Sequence, residues 1–321
     1  MLHLRLIVPA DLRDAVDAIV ADPESGISNV VVLPGAAVSP AGDVIICDVD
    51  RAQASGVLER LHAIGLDETG SITAEQVDLA MSRRDRRNAV AVFGGQDDAV
   101  VWQEVESRTD DEVRLSATFL AFMSVATMIA AVGVVIDQPI LIVGAMVVGP
   151  DFGPLAAIAV GIVRRRPQVV WRSTGTLLSG FAFAILVTIG FVFLLRLLGV
   201  FPPDPFAEEH PLTEFIWQPD ALSYVVAFLA GIAGVLSLTS AKSGALIGVL
   251  ISVTTVPAAG AIALAVASAE WAQVGTSSLQ LVINLTSIII GGVLTLAIQL
   301  AAERVAADRR RRVRVDVTSG S

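Results

Sequence analysis

One carboxylate stands where carboxylates are costly. Asp151 lies inside Gly149-Pro150-Asp151-Phe152-Gly153-Pro154, near the middle of an apolar stretch that runs from Pro139 to Val163. An ionised carboxylate at mid-bilayer costs at least ~2.5 kcal/mol on insertion scales, so it calls for a proton, a cation or another partner. Its surroundings are equally pointed. Pro150 and Pro154 each remove a backbone N–H and clash with the preceding turn, while Gly149 and Gly153 relax the chain between them. Backbone groups freed by such a break cannot face lipid, so they are buried in protein or line a wet cavity. Three roles are open to Asp151. It couples transport to a proton or cation, or touches a ligand directly; it caps the amides of a half-helix starting at Pro154; or it meets water in a re-entrant loop.

A counterpart lies further along. Thr254-Thr255-Val256-Pro257 interrupts a second apolar stretch, Gly244 to Ala267, and an alanine-rich run follows Pro257 as it follows Pro154. Pro154 and Pro257 each suit the first position of a second half-helix. Two such breaks facing each other at the midplane would make a site for an ion and an anionic group together. Thr254, Thr255 and Pro257 therefore join Gly149, Pro150, Asp151, Gly153 and Pro154 as candidate site residues. Asn284, an amide in the last apolar stretch, completes the set. Ser124, Thr127, Ser237, Thr239, Ser240 and Thr286 are polar too, but hydroxyls in membrane helices mostly bond their own backbone or hold helices together.

The elements needed to position these residues are membrane spans. Of 321 residues, 54% are hydrophobic and only 17% charged, where a soluble chain carries about a quarter. A span needs about 20 apolar residues to cross the ~30 Å hydrocarbon core. The chain predicts six: Leu115–Ile136, Pro139–Val163, Thr174–Val200, Ala221–Thr239, Gly244–Ala267 and Ser278–Ala302. Arg164, Arg165, Arg166 and Arg172 follow the second, Lys242 the fourth, and Arg304, Arg309–Arg312 and Arg314 the sixth. The other connections hold Asp137, then Asp204, Glu208, Glu209, Glu214 and Asp220, then Glu270, with no lysine or arginine. Under the positive-inside rule both termini face the cytoplasm, which predicts a multi-pass protein of the bacterial plasma membrane. Arg196, at the outer end of the third span, is expected to snorkel to the interface. The second and fifth spans then run in opposite senses, as in an inverted repeat of two three-helix halves.

Ahead of the spans, charge density is that of a soluble domain. Leu4–Val8 reads as a strand, Asp11–Val20 as a helix, Val30–Leu33 and Val44–Val49 as strands either side of a Pro34–Gly42 turn, and Ala52–Ile64 as a helix closed by Gly65. Ser71–Val77 supplies a last strand. The order β-α-β-β-α-β is the ferredoxin-like pattern. Arg83, Arg84, Arg86 and Arg87 suit an anionic leaflet or a solvated linker, and Asp98–Val113 reads as an amphipathic helix anchored by Trp102. The expected organisation is 1–80 cytoplasmic domain, 81–114 basic linker and juxtamembrane helix, 115–302 membrane domain and 303–321 basic cytoplasmic tail.

Several chemistries are left without residues. Cys47 is the only cysteine, and His3, His62 and His210 have no ligand spacing, so neither a metal centre nor another cofactor is expected. No triad, phosphate loop or carboxylate pair with a base is visible, so the chain does not read as an enzyme. The net charge of −10, with no basic patch on the soluble domain, speaks against nucleic acid.

From Val101-Trp102 through Ile129-Ala130-Ala131-Val132-Gly133, Gly144-Ala145-Met146 and the Gly-Pro break, and again at Gly248–Val253, Pro257 and Asn284, the chain resembles the hydrophobic membrane proteins grouped as domain of unknown function 389 (DUF389). It departs from them where Gly149-Pro150-Asp151-Phe152 replaces their Ser-Pro-Leu-Met, and where Pro257-Ala258 replaces a Pro-Pro pair. The resemblance thus implies the architecture and assigns no role to Asp151. Two functions are expected from the residues: a secondary transporter or permeation protein for a small solute or ion, or a membrane-anchored sensor or scaffold whose soluble domain binds a small ligand or partner. The bilayer, the solute and a second copy of the chain are the expected partners.

Overall fold

Leu2, Leu4, Leu6 and Val8 are sealed from solvent while the residues between them are not, so β1 (Leu2–Val8) is a strand with one face in a core. It sits between two antiparallel neighbours. The computed structural model describes residues 1–23, 25–76, 102, 105, 115–202, 205–206, 212–213, 216, 221–239 and 254–318, and the chain divides into two units, Met1–Val105 with Thr239–Ala241, and Glu106–Leu238 with Lys242–Ser321.

In the first unit, α1 (Arg13–Val20), β2 (Ile27–Val38), β3 (Ala41–Val49), α2 (Arg51–Ala63), a single turn α3 (Leu66–Thr69) and β4 (Ser71–Gln76) follow β1. The strands form one four-stranded antiparallel sheet in the order β2-β3-β1-β4. Ile45, Cys47 and Val49 of β3 join β1's apolar set against Val16 of α1 and Val57 and Leu61 of α2. Gly65 follows α2 in the left-handed region, at φ 76°, as its capping role requires. The hairpin differs from expectation. β2 continues through Pro34 and Gly35 to Val38, and β3 begins at Ala41, so most of the segment read as a turn is strand. Proline is tolerated there because β2 is an edge strand, and the register shifts between Leu33 and Ala37. Val30, Val31, Val32 and Leu33 are all more than a third exposed, so this edge is apolar on both faces.

The second unit is helical: α4 (Ala117–Val135), α5 (Pro139–Val148), α6 (Phe152–Val163), α7 (Pro167–Leu197), α8 (Ala221–Thr239), α9 (Thr255–Ala267) and α10 (Trp271–Thr318). Among the described residues, four helices are long and apolar enough to cross a membrane, Ala117–Val135, Pro167–Leu197, Leu222–Thr239 and Trp271–Ala302. The α5–α6 pair, bent by 56°, makes a fifth if it is one span. The first half of the predicted fifth span, 244–253, lies outside the described residues, and α9 is its second half. The third span starts earlier than read, because Pro167 opens the helix in its first turn, where its missing N–H costs nothing. Of the predicted 98–113 helix, Trp102 and Val105 are helical; its other residues and the Arg83–Arg87 run lie outside the described set.

α6 and α9 occupy the centre. Every residue from Phe152 to Gly161, and from Thr255 to Ala265, is buried. Small residues allow this packing: a methyl on Gly260 would lie 2.9 Å from the Ala131 backbone nitrogen of α4. With 12 and 13 residues, each rises only about 18–20 Å, so neither crosses a bilayer alone. Around them pack Met123 and Ala130 of α4, Phe181 of α7, Ala227 of α8 and Ile288 of α10.

Candidate functional site

The break after α5 begins at Gly149, which closes that helix, and ends at Asp151, which precedes α6 as its N-cap residue. α9 begins the same way, with Thr254 as N-cap residue. The first intrahelical bonds confirm the parallel: Leu155 N–H donates to Asp151 O and Ala258 N–H to Thr254 O, each at 3.4 Å. Pro154 and Pro257 are therefore each the third helical residue, not the first as expected. The physical reason is permissive. The first few N–H groups of a helix have no partner within it, so proline fits anywhere in that turn.

The two starts touch. A methyl on Gly149 would lie 2.6 Å from Val256 Cγ2, so only glycine lets the α5–α6 break pack onto the start of α9. Asp151 is 2% exposed, and the Thr255 hydroxyl donates a hydrogen bond to its Oδ2. Its side chain makes no capping bond to α6, which removes the capping role as the reason for its burial. Beside it, Asn284 Nδ2 of α10 donates to Thr254 Oγ1 at 2.7 Å and to the Thr254 carbonyl at 3.3 Å. Asp151, Gly149, Thr254, Thr255 and Asn284 thus form one cluster. Gly153, Pro154 and Pro257 are buried in the first turns that build it, and Pro150 is half-buried in the break.

Electrostatically, the amide ends of α6 and α9 converge near the carboxylate. A helix start carries about half a positive charge, so two of them partly offset the charge of Asp151. The amides of Phe152, Gly153, Thr255 and Val256 precede the first intrahelical bonds and are donors that the helices do not themselves consume. The arrangement can hold a carboxylate, exchange a proton on it, or accept a small polar ligand. Among the described residues, no group of three or more His, Cys, Asp or Glu could hold a metal.

Gln280 was not singled out by its sequence. It is fully buried on α10, and its Nε2 donates to Asn284 Oδ1 at 3.4 Å. A signal existed: Gln280 and Asn284 are four residues apart, hence neighbours on one helix face, in an otherwise apolar run. Thr286 only donates to its own helix, at Val282 O and Ile283 O. Arg196, in the last turn of α7, finds partners within the protein. Its guanidinium donates to Ala267 O and Ser268 Oγ, both at 2.5 Å, and so closes the carbonyl end of α9.

Residues 146–290 match the family model described as Domain of unknown function (DUF389), the family that the sequence resembles. The match covers both helix starts and Asn284. An uncharacterized protein of Methanocaldococcus jannaschii is 23% identical over 189 residues, covering 59% of this chain and 56% of that protein, so the alignment spans just over half the length of that relative. No solved structure matches.

Proposed function

We propose that this chain is a secondary transporter or permeation protein for a small solute or ion, with its site where the starts of α6 and α9 meet at Asp151. The supporting observation is the Thr255–Asp151 hydrogen bond, which joins two helix starts 104 residues apart in the chain. A buried carboxylate, in helices otherwise free of acidic side chains, has no evident stabilising purpose. Half-helices that begin at mid-bilayer are the usual architecture of transporter binding sites.

In this reading there are six spans. α5–α6 forms the second, and α9 belongs to the fifth, running in the opposite sense. The matched positions Asp151/Thr254 and Pro154/Pro257 support an inverted repeat of two three-helix halves. Arginines after α6 and within α10, against acidic connections at the other end, favour both termini in the cytoplasm of a bacterial plasma membrane. The order β2-β3-β1-β4 supports a ferredoxin-like N-terminal domain, and its apolar β2 edge supports a homo-oligomer, since an exposed edge of that kind invites a second copy.

The test is flux in proteoliposomes, followed with an internal pH dye while small ammonium, alkali-metal and carboxylate salts are presented. Asp151→Asn and Pro257→Ala should each lower the flux about tenfold or more, equivalent to roughly 1.4 kcal/mol at the site, with thermal unfolding in detergent still cooperative. Wild-type rates in both variants would reject the transport reading.

A further inference from the structure

Two buried polar atoms beside the site have no partner among the described residues. Ser277 and Gln280 are both 0% exposed, and neither Ser277 Oγ nor Gln280 Oε1 makes a hydrogen bond. An unsatisfied buried polar atom costs about 1–3 kcal/mol and calls for an explanation. With Asn284 they are spaced three and four residues apart, so they share one face of α10. That face leads from the Trp271 end of the helix to the Asp151 cluster.

The orientation of the Gln280 amide follows from its neighbours. The Thr254 carbonyl can only accept, so Asn284 turns its NH₂ towards it at 3.3 Å. Asn284 Oδ1 is then an acceptor and takes the Gln280 NH₂ at 3.4 Å. Gln280 Oε1 is left at the open end of the string as an acceptor without a donor. At the other end Thr255 donates to the Asp151 carboxylate.

We propose that Ser277 and Gln280 form an approach subsite where a small hydrogen-bond-donating solute, neutral or cationic, binds on its way to Asp151. The inference rests on the transport reading above. A donor satisfies both orphan atoms, and a cation gains from the carboxylate beyond them. An anion could take one hydrogen bond from the Ser277 hydroxyl, but it would face the Gln280 amide oxygen and the Asp151 carboxylate as acceptor against acceptor, with no lysine, arginine or histidine on α9 or on α10 before Ala302 to offset them.

Single cysteines in the full chain, reconstituted in vesicles, test this. The parent chain gives the baseline, because its one thiol, Cys47, is fully buried and burial pushes it up to about 11. Ser277→Cys and Gln280→Cys are compared with Leu279→Cys and Val282→Cys, which lie at similar depth on the opposite, exposed face of α10 at 53% and 55% exposure. Aminoethyl methanethiosulfonate should modify positions 277 and 280 at least about tenfold faster than 279 and 282, since thiols in a dry apolar setting are inert. The anionic sulfonatoethyl reagent should be about tenfold slower at 277 and 280, a difference of roughly 1.4 kcal/mol. Should Gln280→Cys fail to fold, Ser277→Cys carries the test alone, because it removes only an unpartnered hydroxyl. Equal rates on the two faces would overturn the subsite, and equal rates for the two reagents would overturn its ligand class. Loss of this contrast with Asp151-dependent flux intact removes the subsite alone. The contrast present with flux indifferent to Asp151→Asn removes the transport reading alone.

Discussion

Thr255→Val removes the side-chain donor that Asp151 uses and leaves the carboxylate buried with its charge or proton uncompensated. The expected loss of stability is about 1–3 kcal/mol, whereas removing both polar partners of a buried bond can be nearly neutral. Asp151→Leu with Thr255→Val should therefore be more stable than Thr255→Val alone, and thermal unfolding of the four members of this cycle in detergent gives the coupling. If the single and double variants are equally destabilised, the hydrogen bond is not what holds the two helix starts together. At this scale much of the cluster was legible, because proline and glycine betray a break wherever they occur in an apolar run. Ser277 and Gln280 were not, because their significance lies in atoms left without partners, and that depends on how Thr254 and Asn284 orient their own groups.

Elements carry a second set of consequences. β2 has Val31 and Leu33 on one face and Val30 and Val32 on the other, all 37–48% exposed, on a sheet edge with unpaired backbone groups. Charged residues, lysine above all, are the usual protection of such an edge. Val31→Lys with Leu33→Lys should shift the purified protein to a lower assembly state by light scattering, while the fold survives, since neither side chain is in the core. An unchanged mass would reject the β2 edge as a contact between copies. The extent of β2 escaped the sequence for a definite reason: Pro34-Gly35 is ordinarily a turn signal, and only an edge position makes it compatible with a strand. β1, α2 and the Gly65 cap were readable because alternation, helical spacing and a left-handed glycine are local features. α3 was not anticipated.

For the molecule as a whole, the question is whether α5–α6 crosses the bilayer or returns to the side it entered from. Its 10 and 12 residues rise about 15 and 18 Å. A re-entrant loop needs its two arms to fold back towards antiparallel, but these diverge by only 56°. At that angle they add end to end to about 29 Å, close to the ~30 Å hydrocarbon thickness. In the proposed six-span reading the break redirects the chain without reversing it, which would bring Arg164–Arg166 out on the side opposite Asp137. The other connections agree with this geometry. Asp137 accepts from Thr213 Oγ1 at 2.8 Å, Arg196 reaches Ala267 and Ser268, and Val134, Leu195, Ile216 and Ala267 share one apolar cluster, so these connections lie at one end of the bundle. Hydropathy alone could not decide this, because a bent pair and a re-entrant loop have the same composition. In intact cells, a membrane-impermeant maleimide should label Glu270→Cys and Gln138→Cys directly, and Arg165→Cys only after permeabilisation. Labelling of all three from outside would make α5–α6 re-entrant and leave an odd number of crossings. The opposing senses of α6 and α9 could then no longer be an inverted repeat, however well their prolines align.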